Sequence, residues 1–225
     1  MIGFALLKRL KELGYIKTER DPYWWPNSGT FEVVVGAVLT QNTKWENVEK
    51  ALERLRCEIG QITPERVVVL DQKHFAQLIK PAGFYNTKAF RIQKLTHALL
   101  EAYGSFEAFK AKPSRRWLLE QKGIGPESAD SILNYACYRP FLVVDAYTAK
   151  ILRFLGYEFE SYEELQEFLS DSILENIDKI YELYGRQMPL EQIYARFHGK
   201  IVEFCKEHCK GKGQEERVKA LLEHL

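Results

Sequence analysis

The chain has 225 residues, room for one large domain or two small interlocked ones. Hydrophobic residues make up 46%, aromatics 13% and charged residues 28%, a globular balance that excludes disordered and fibrous classes. The 32 basic and 31 acidic side chains leave a net charge of +1, so bulk charge points to neither a polyanion nor a membrane surface, and either partner needs local evidence.

From the N-terminus, Met1 to Leu13 carries Lys8, Arg9, Lys11 and Glu12 at helical spacing, and the longest apolar run, Val33 to Leu39, is too short to span a bilayer. Neither a membrane anchor nor a secreted protein is expected. Tyr23-Trp24-Trp25-Pro26 follows. Two adjacent indoles ahead of a proline cannot both face one core, so at least one should line a cavity. Val33 to Leu39 is β-prone but has no alternating partner run, and is read as a buried helix. Gln41 and Asn42 form a polar break that caps the next helix or reaches a ligand. Trp45, Val48, Leu52 and Leu55 then repeat at the three-to-four step of a helix.

Gly83 to Ala89 combines a glycine stop, an asparagine cap and a basic helix start, where Lys88 could meet phosphate. Ile92, Leu95 and Leu99 continue the helical step. Ser105, Ser114 and Ser161 read as N-caps, Gly14, Gly60, Gly104 and Gly156 as stops, and Pro64, Pro113, Pro126 and Pro189 as first-turn prolines. Residues 80–122 hold nine basic side chains against three acidic ones, and residues 157–182 nine acidic against one basic. Two solvated faces would give this pattern; so would a polyanion bound on one side and repelled on the other.

Leu118 to Ala136 is the most informative stretch. A helix end meets a Lys122-Gly123-Ile124-Gly125 turn, and Pro126 opens a second helix with Ala129, Ile132, Leu133 and Ala136 inward. The glycines let the chain turn sharply while Ile124 plugs between the helices, leaving backbone N–H groups facing outward as a seat for phosphate. Phe141 to Val144 reads as an extended connection into Asp145, which stands just before a helix from Ala146 to Leu155. An N-cap is one reading of Asp145. A carboxylate kept ionised in an apolar setting, facing a cationic transition state, is the other. Near the C-terminus Tyr194, Phe197, Ile201 and Phe204 form an apolar stripe with Lys200 at its border. Such a lysine must find an anion, lose its charge or be carbamylated. Four cysteines, with Cys57 and Cys137 isolated in helical patterns, make no disulfide framework and suit a reducing cytosol.

The hairpin, the twenty-residue step from Gly125 to Asp145, and the segments Leu39-Thr40-Gln41-Asn42-Thr43 and Gly83-Phe84-Tyr85-Asn86-Thr87-Lys88-Ala89 resemble the helix-hairpin-helix (HhH-GPD) DNA glycosylases of the endonuclease III superfamily. Trp-Trp-Pro-Asn at 24–27, Leu-Thr-Gln-Asn-Thr at 39–43 and Ala-Arg-Phe-His-Gly-Lys at 195–200 are most similar to its 3-methyladenine DNA glycosylase III branch. The resemblance implies an all-α fold of two domains, a six-helix domain at 27–138 and a second built from 1–26 with 139–225, with the active-site cleft between them. It also implies hydrolysis of the N-glycosidic bond of alkylated purines such as 3-methyladenine after base flipping. Asp145 would be catalytic, and Trp24, Trp25, Pro26 and Trp45 would sandwich the base. Gln41, Asn42, Lys88, Lys122, Gly123, Ile124 and Gly125 would contact DNA, and Lys200 would be the candidate for modification.

Departures from the family narrow the chemistry. Members that nick the abasic strand carry a lysine two residues after the second hairpin glycine; Glu127 stands there, so a monofunctional glycosylase is expected. Gly36 occupies the place of the glutamate of adenine-mismatch relatives. Cys205 and Cys209 alone cannot replace the four-cysteine pattern of the cluster-bearing relatives, so no iron–sulfur cluster and no metal are expected. The expected partner is double-stranded DNA with alkylated bases, bound by a monomer in the cytoplasm at the nucleoid. Two alternatives stand beside this reading: an endonuclease III-like glycosylase/lyase for oxidised or mismatched pyrimidines, and a non-catalytic hairpin that only grips DNA.

Overall fold

The computed structural model describes residues 2–16 and 21–223, and every regular element among them is helical. Along the chain these are α1 (Ile2–Glu12), α2 (Phe31–Leu39), α3 (Trp45–Ile59), α4 (Pro64–Val68), α5 (Gln72–Leu78), α6 (Tyr85–Tyr103), α7 (Phe106–Ala111), α8 (Arg115–Leu119) and α9 (Pro126–Ser131). They continue as α10 (Ala146–Phe154), α11 (Tyr162–Leu174), α12 (Ile177–Tyr184), α13 (Leu190–His208) and α14 (Gln214–Leu221). Helix α9 runs on into a π-helical turn at Ile132–Ala136.

Caps written into the sequence set these boundaries. The hydroxyls of Ser105, Ser114 and Ser161 accept the amides of Ala108, Trp117 and Glu164 at 3.1–3.2 Å, and each such cap contributes about 1 kcal/mol. Pro64 and Pro126 open their helices, but Pro113 precedes the N-cap Ser114 and Pro189 is itself the N-cap of α13.

The chain forms two compact units, Asn27–Tyr138 and Met1–Pro26 with Arg139–Leu225. The first holds α2 to α9, eight α-helices where six were expected, with caps at Asp71, Ser105 and Ser114 starting the short helices α5, α7 and α8. At its centre lies α2, buried on every side, which explains why Val33 to Leu39 shows no amphipathic period. Its hairpin is closed by Arg115, whose Nε and Nη2 reach the two oxygens of the fully buried Asp130 at 2.7 and 3.2 Å. The second unit packs α1 and α10 to α14 around Leu6, Leu10, Leu142, Ile151, Leu169 and Phe197.

Candidate active site

The extended stretch Leu142 to Val144 is buried and delivers Asp145 to the start of α10. Asp145 is extended, at φ −117° and ψ −176°, and it does cap that helix. Its Oδ1 accepts the Thr148 amide at 2.9 Å and the Thr148 hydroxyl at 3.0 Å. The second oxygen is committed differently. Oδ2 lies 3.4 Å from Nε2 of His198, a residue of α13, in a pair whose side chains are 15% and 6% exposed. Burial raises the carboxyl's pKa, but the His198 imidazole beside it, with the amide and hydroxyl of Thr148, outweighs it and holds the pKa below the usual range. Asp145 is thus an ionised carboxylate in a mostly buried setting.

The helix that carries His198 also seats an indole. The Trp24 ring meets the His198 imidazole edge-on, with centroids 5.5 Å apart and planes at 79°. Trp24 Nε1 donates to Glu203 Oε1 at 3.1 Å, and its backbone is left-handed at φ 67°. A Cβ at Gly199 would lie 2.4–2.7 Å from that ring, so only glycine lets the indole lie against α13. Trp24, His198 and Asp145 form one contiguous group inside a single unit. Trp25 is buried and Pro26 half-buried beside it in sequence.

Lys200 lies inside the packed face of α13, not at its border: it is 2% exposed and its ammonium donates to the carbonyl of Tyr15. Burial, aided by Arg196 and Lys11 and opposed by Glu203, lowers its pKa to about 8.

In the Asn27–Tyr138 unit, Trp45 stands half-buried at the first position of α3. Gln41 is bound to the hairpin, donating to the Gly123 carbonyl at 2.9 Å and the Ser128 hydroxyl at 3.0 Å. Asn42 is exposed with φ 52°. Gly123 is left-handed at φ 89°, Ile124 is buried, and Lys122 and Gly125 are exposed. The expectation for Lys88 needs correction. It is 3% exposed, and its ammonium donates to Leu39 O, Thr43 Oγ1 and Ala82 O at 2.7–2.9 Å. It ties three loop ends together and offers nothing to a phosphate, because these three acceptors take up its ammonium inside the unit.

Four residues escaped the sequence reading. His198, Thr148 and Glu203 belong to the site through partners distant in sequence or one helical turn away. Phe84, 74% exposed with φ 44°, projects between Gly83 and α6 beside the Lys88-bound loops. Among the described residues no three carboxylate, histidine or cysteine side chains gather as metal ligands, and no helix is long and apolar enough to cross a membrane.

Residues 35–173 match the family model described as HhH-GPD superfamily base excision DNA repair protein. The fold is similar to a crystal structure of Helicobacter pylori 3-methyladenine DNA glycosylase bound to 1,N6-ethenoadenine, with a TM-score of 0.88 and 44% identity over 92% of this chain and 98% of that one. A Methanocaldococcus jannaschii protein, provisionally named a DNA repair glycosylase, is 38% identical over 84% of this chain and 82% of its own. Endonuclease III of Thermotoga maritima is 28% identical over 89% and 84%. With an ionised, capped aspartate twenty residues after the hairpin glycine Gly125 and a family match over most of its length, the chain belongs to the HhH-GPD superfamily, as a base excision DNA glycosylase.

Proposed function

We propose that the chain is a monofunctional glycosylase that releases alkylated purines such as 3-methyladenine from duplex DNA. The observation that carries this reading is the Asp145–His198–Trp24 group: an ionised carboxylate and an indole fixed by one helix. Cleavage of an N-glycosidic bond builds positive charge on the sugar, and a carboxylate that stays ionised stabilises it and orients the attacking water. A 3-alkylated adenine is already a cationic leaving group, so it leaves without an acid to protonate it, and the indole face of Trp24 attracts it as a cation–π partner. His198 acts as a positioning residue. By engaging Oδ2 while Thr148 holds Oδ1, it fixes the carboxylate plane, and the edge-on Trp24 ring limits imidazole rotation.

On the DNA side, the hairpin turn, with its exposed Gly125 and the Lys122 ammonium, suits a phosphate, and exposed Phe84 suits an apolar wedge in an opened base step. The similarity to an H. pylori enzyme whose name specifies 3-methyladenine supports the substrate class. Burial that leaves the Lys200 amine partly neutral near pH 8 also makes it a nucleophile for CO₂; intact-mass analysis finding only an unmodified amine removes this part of the reading.

Chromatography of bases freed from methylated DNA tests the assignment: 3-methyladenine should appear with the wild type and not with Asp145→Asn. The similarity to endonuclease III of T. maritima keeps a lyase reading in view. Glu127, exposed at the start of α9, opposes it because a carboxylate forms no imine. Borohydride should therefore trap no covalent DNA adduct.

A further inference from the structure

The end of α13 carries two sulfur atoms that glycosidic hydrolysis does not use. Cys205 lies within the helix and Cys209 is its C-cap. Four residues of helix rise about 6 Å, inside the Cα separation of roughly 4.4–6.8 Å that a disulfide spans. The two Sγ atoms are 2.8 Å apart, and both side chains are buried. The other cysteines, Cys57 and Cys137, belong to the Asn27–Tyr138 unit.

The surroundings make the pair unequal. The two thiols share a hydrogen bond in which either can donate, and Cys209 sits among cations: Lys150 Nζ donates to its carbonyl at 2.9 Å, and Arg217 donates to the carbonyls of His208 and Lys210 at 2.8–3.3 Å. The Cys205 hydrogen bond, opposed by burial and aided by Lys150 and Arg217, pulls the Cys209 thiol down. Cys205 keeps its proton, pushed up by its bond to Cys209, by burial and by Asp145. A thiolate among cations beside a resolving thiol is the arrangement that reacts with disulfides. Cys209, itself 3% exposed, is followed directly by exposed residues 210–213, so a reagent reaches it by opening of this helix end.

We propose that Cys205 and Cys209 form a redox-reactive dithiol that closes reversibly to an intramolecular disulfide with a low-molecular-weight disulfide such as oxidised glutathione. The Cys209 thiolate attacks one sulfur of the oxidant and expels a thiolate, leaving a mixed disulfide. The Cys205 sulfur, surrendering its proton to the departing thiolate, then attacks Cys209 and expels the second half. Two protein thiols are oxidised and one disulfide is reduced to two thiols. The closed pair would bear on α10, because Cys205 Sγ lies 3.7 Å from Tyr147 O and the Cys209 carbonyl holds Lys150.

The test is differential alkylation. The full-length native protein is exposed to oxidised glutathione, acid-quenched, unfolded, alkylated, reduced, alkylated with a second reagent and digested. The expected result is that Cys205 and Cys209 take the second label together, and that dithiothreitol before quenching returns both to the first. Cys205→Ser should stop at a glutathione adduct on Cys209, whereas Cys209→Ser should leave Cys205 unmodified; circular dichroism confirms that each variant is folded. First-label alkylation of both cysteines after oxidation, or a wild type that halts at an adduct without closing, would overturn the proposal. Neither outcome depends on which base the enzyme removes.

Discussion

Asp145 caps α10 through Oδ1 and meets His198 through Oδ2, so replacement by asparagine separates the two tasks. Asparagine caps helices about as well as aspartate, and Asp145→Asn should change unfolding free energy by less than about 1 kcal/mol while single-turnover excision falls by at least about 10²-fold. An equal fall in stability and rate would reduce Asp145 to a cap. For His198, glutamine keeps a donor while alanine removes it. His198→Gln should retain most of the excision rate and His198→Ala should not, with added imidazole restoring part of it; a structural role alone would show no such rescue. Asp145 was legible because a hairpin, a fixed interval and an apolar lead-in all point at one position. His198 was not, because a histidine within Phe197-His198-Gly199-Lys200 looks like any polar interruption of an apolar stripe until α10 is folded against it.

Helices α2, α6 and α8 with α9 converge on loops that are tied to one another by side chains. Gln41 reaches Gly123, and Lys88 reaches Leu39, Thr43 and Ala82. The apolar step at Ile92, Leu95 and Leu99 placed α6, Ser114 and Pro126 placed the starts of α8 and α9, and α2 was read as a helix only because Val33 to Leu39 had no strand partner. The inward turn of Lys88 was hidden because its position, three residues into a helix opening, suits an exposed cation equally well. The difference is measurable. Lys88→Met removes the donor from Leu39 O, Thr43 Oγ1 and Ala82 O and should cost about 1–3 kcal/mol of stability without changing the salt slope of DNA binding. Lys122→Ala should leave stability unchanged and reduce that slope by about 1. A lowered slope for Lys88→Met would restore it as a phosphate ligand.

The whole molecule, near neutral in sum, divides its chemistry between units: the carboxylate, its histidine and the indole in Met1–Pro26 with Arg139–Leu225, the hairpin in Asn27–Tyr138. Each unit also buries one lysine whose pKa falls to about 8 from 10.5, chiefly by burial. Between about pH 8 and 10.5 the unfolded chain holds protons that the folded lysines have released, so these groups make stability rise with pH there. Tyr184, raised by burial to about 12, acts oppositely above pH 10. Urea unfolding at pH 8 and 9.5 should show the rise, and Lys200→Met should flatten it; an unchanged slope would mean Lys200 stays charged when folded. The account as a whole turns on an ionised carboxylate that cleaves the bond to a cationic base. Bases released from methylated duplex DNA, separated by chromatography for wild type and Asp145→Asn, test this most directly. The account predicts 3-methyladenine from the wild type, almost none from the variant, and abasic strands left unbroken; release at equal rates by both proteins, or none by either while DNA is bound, would contradict it.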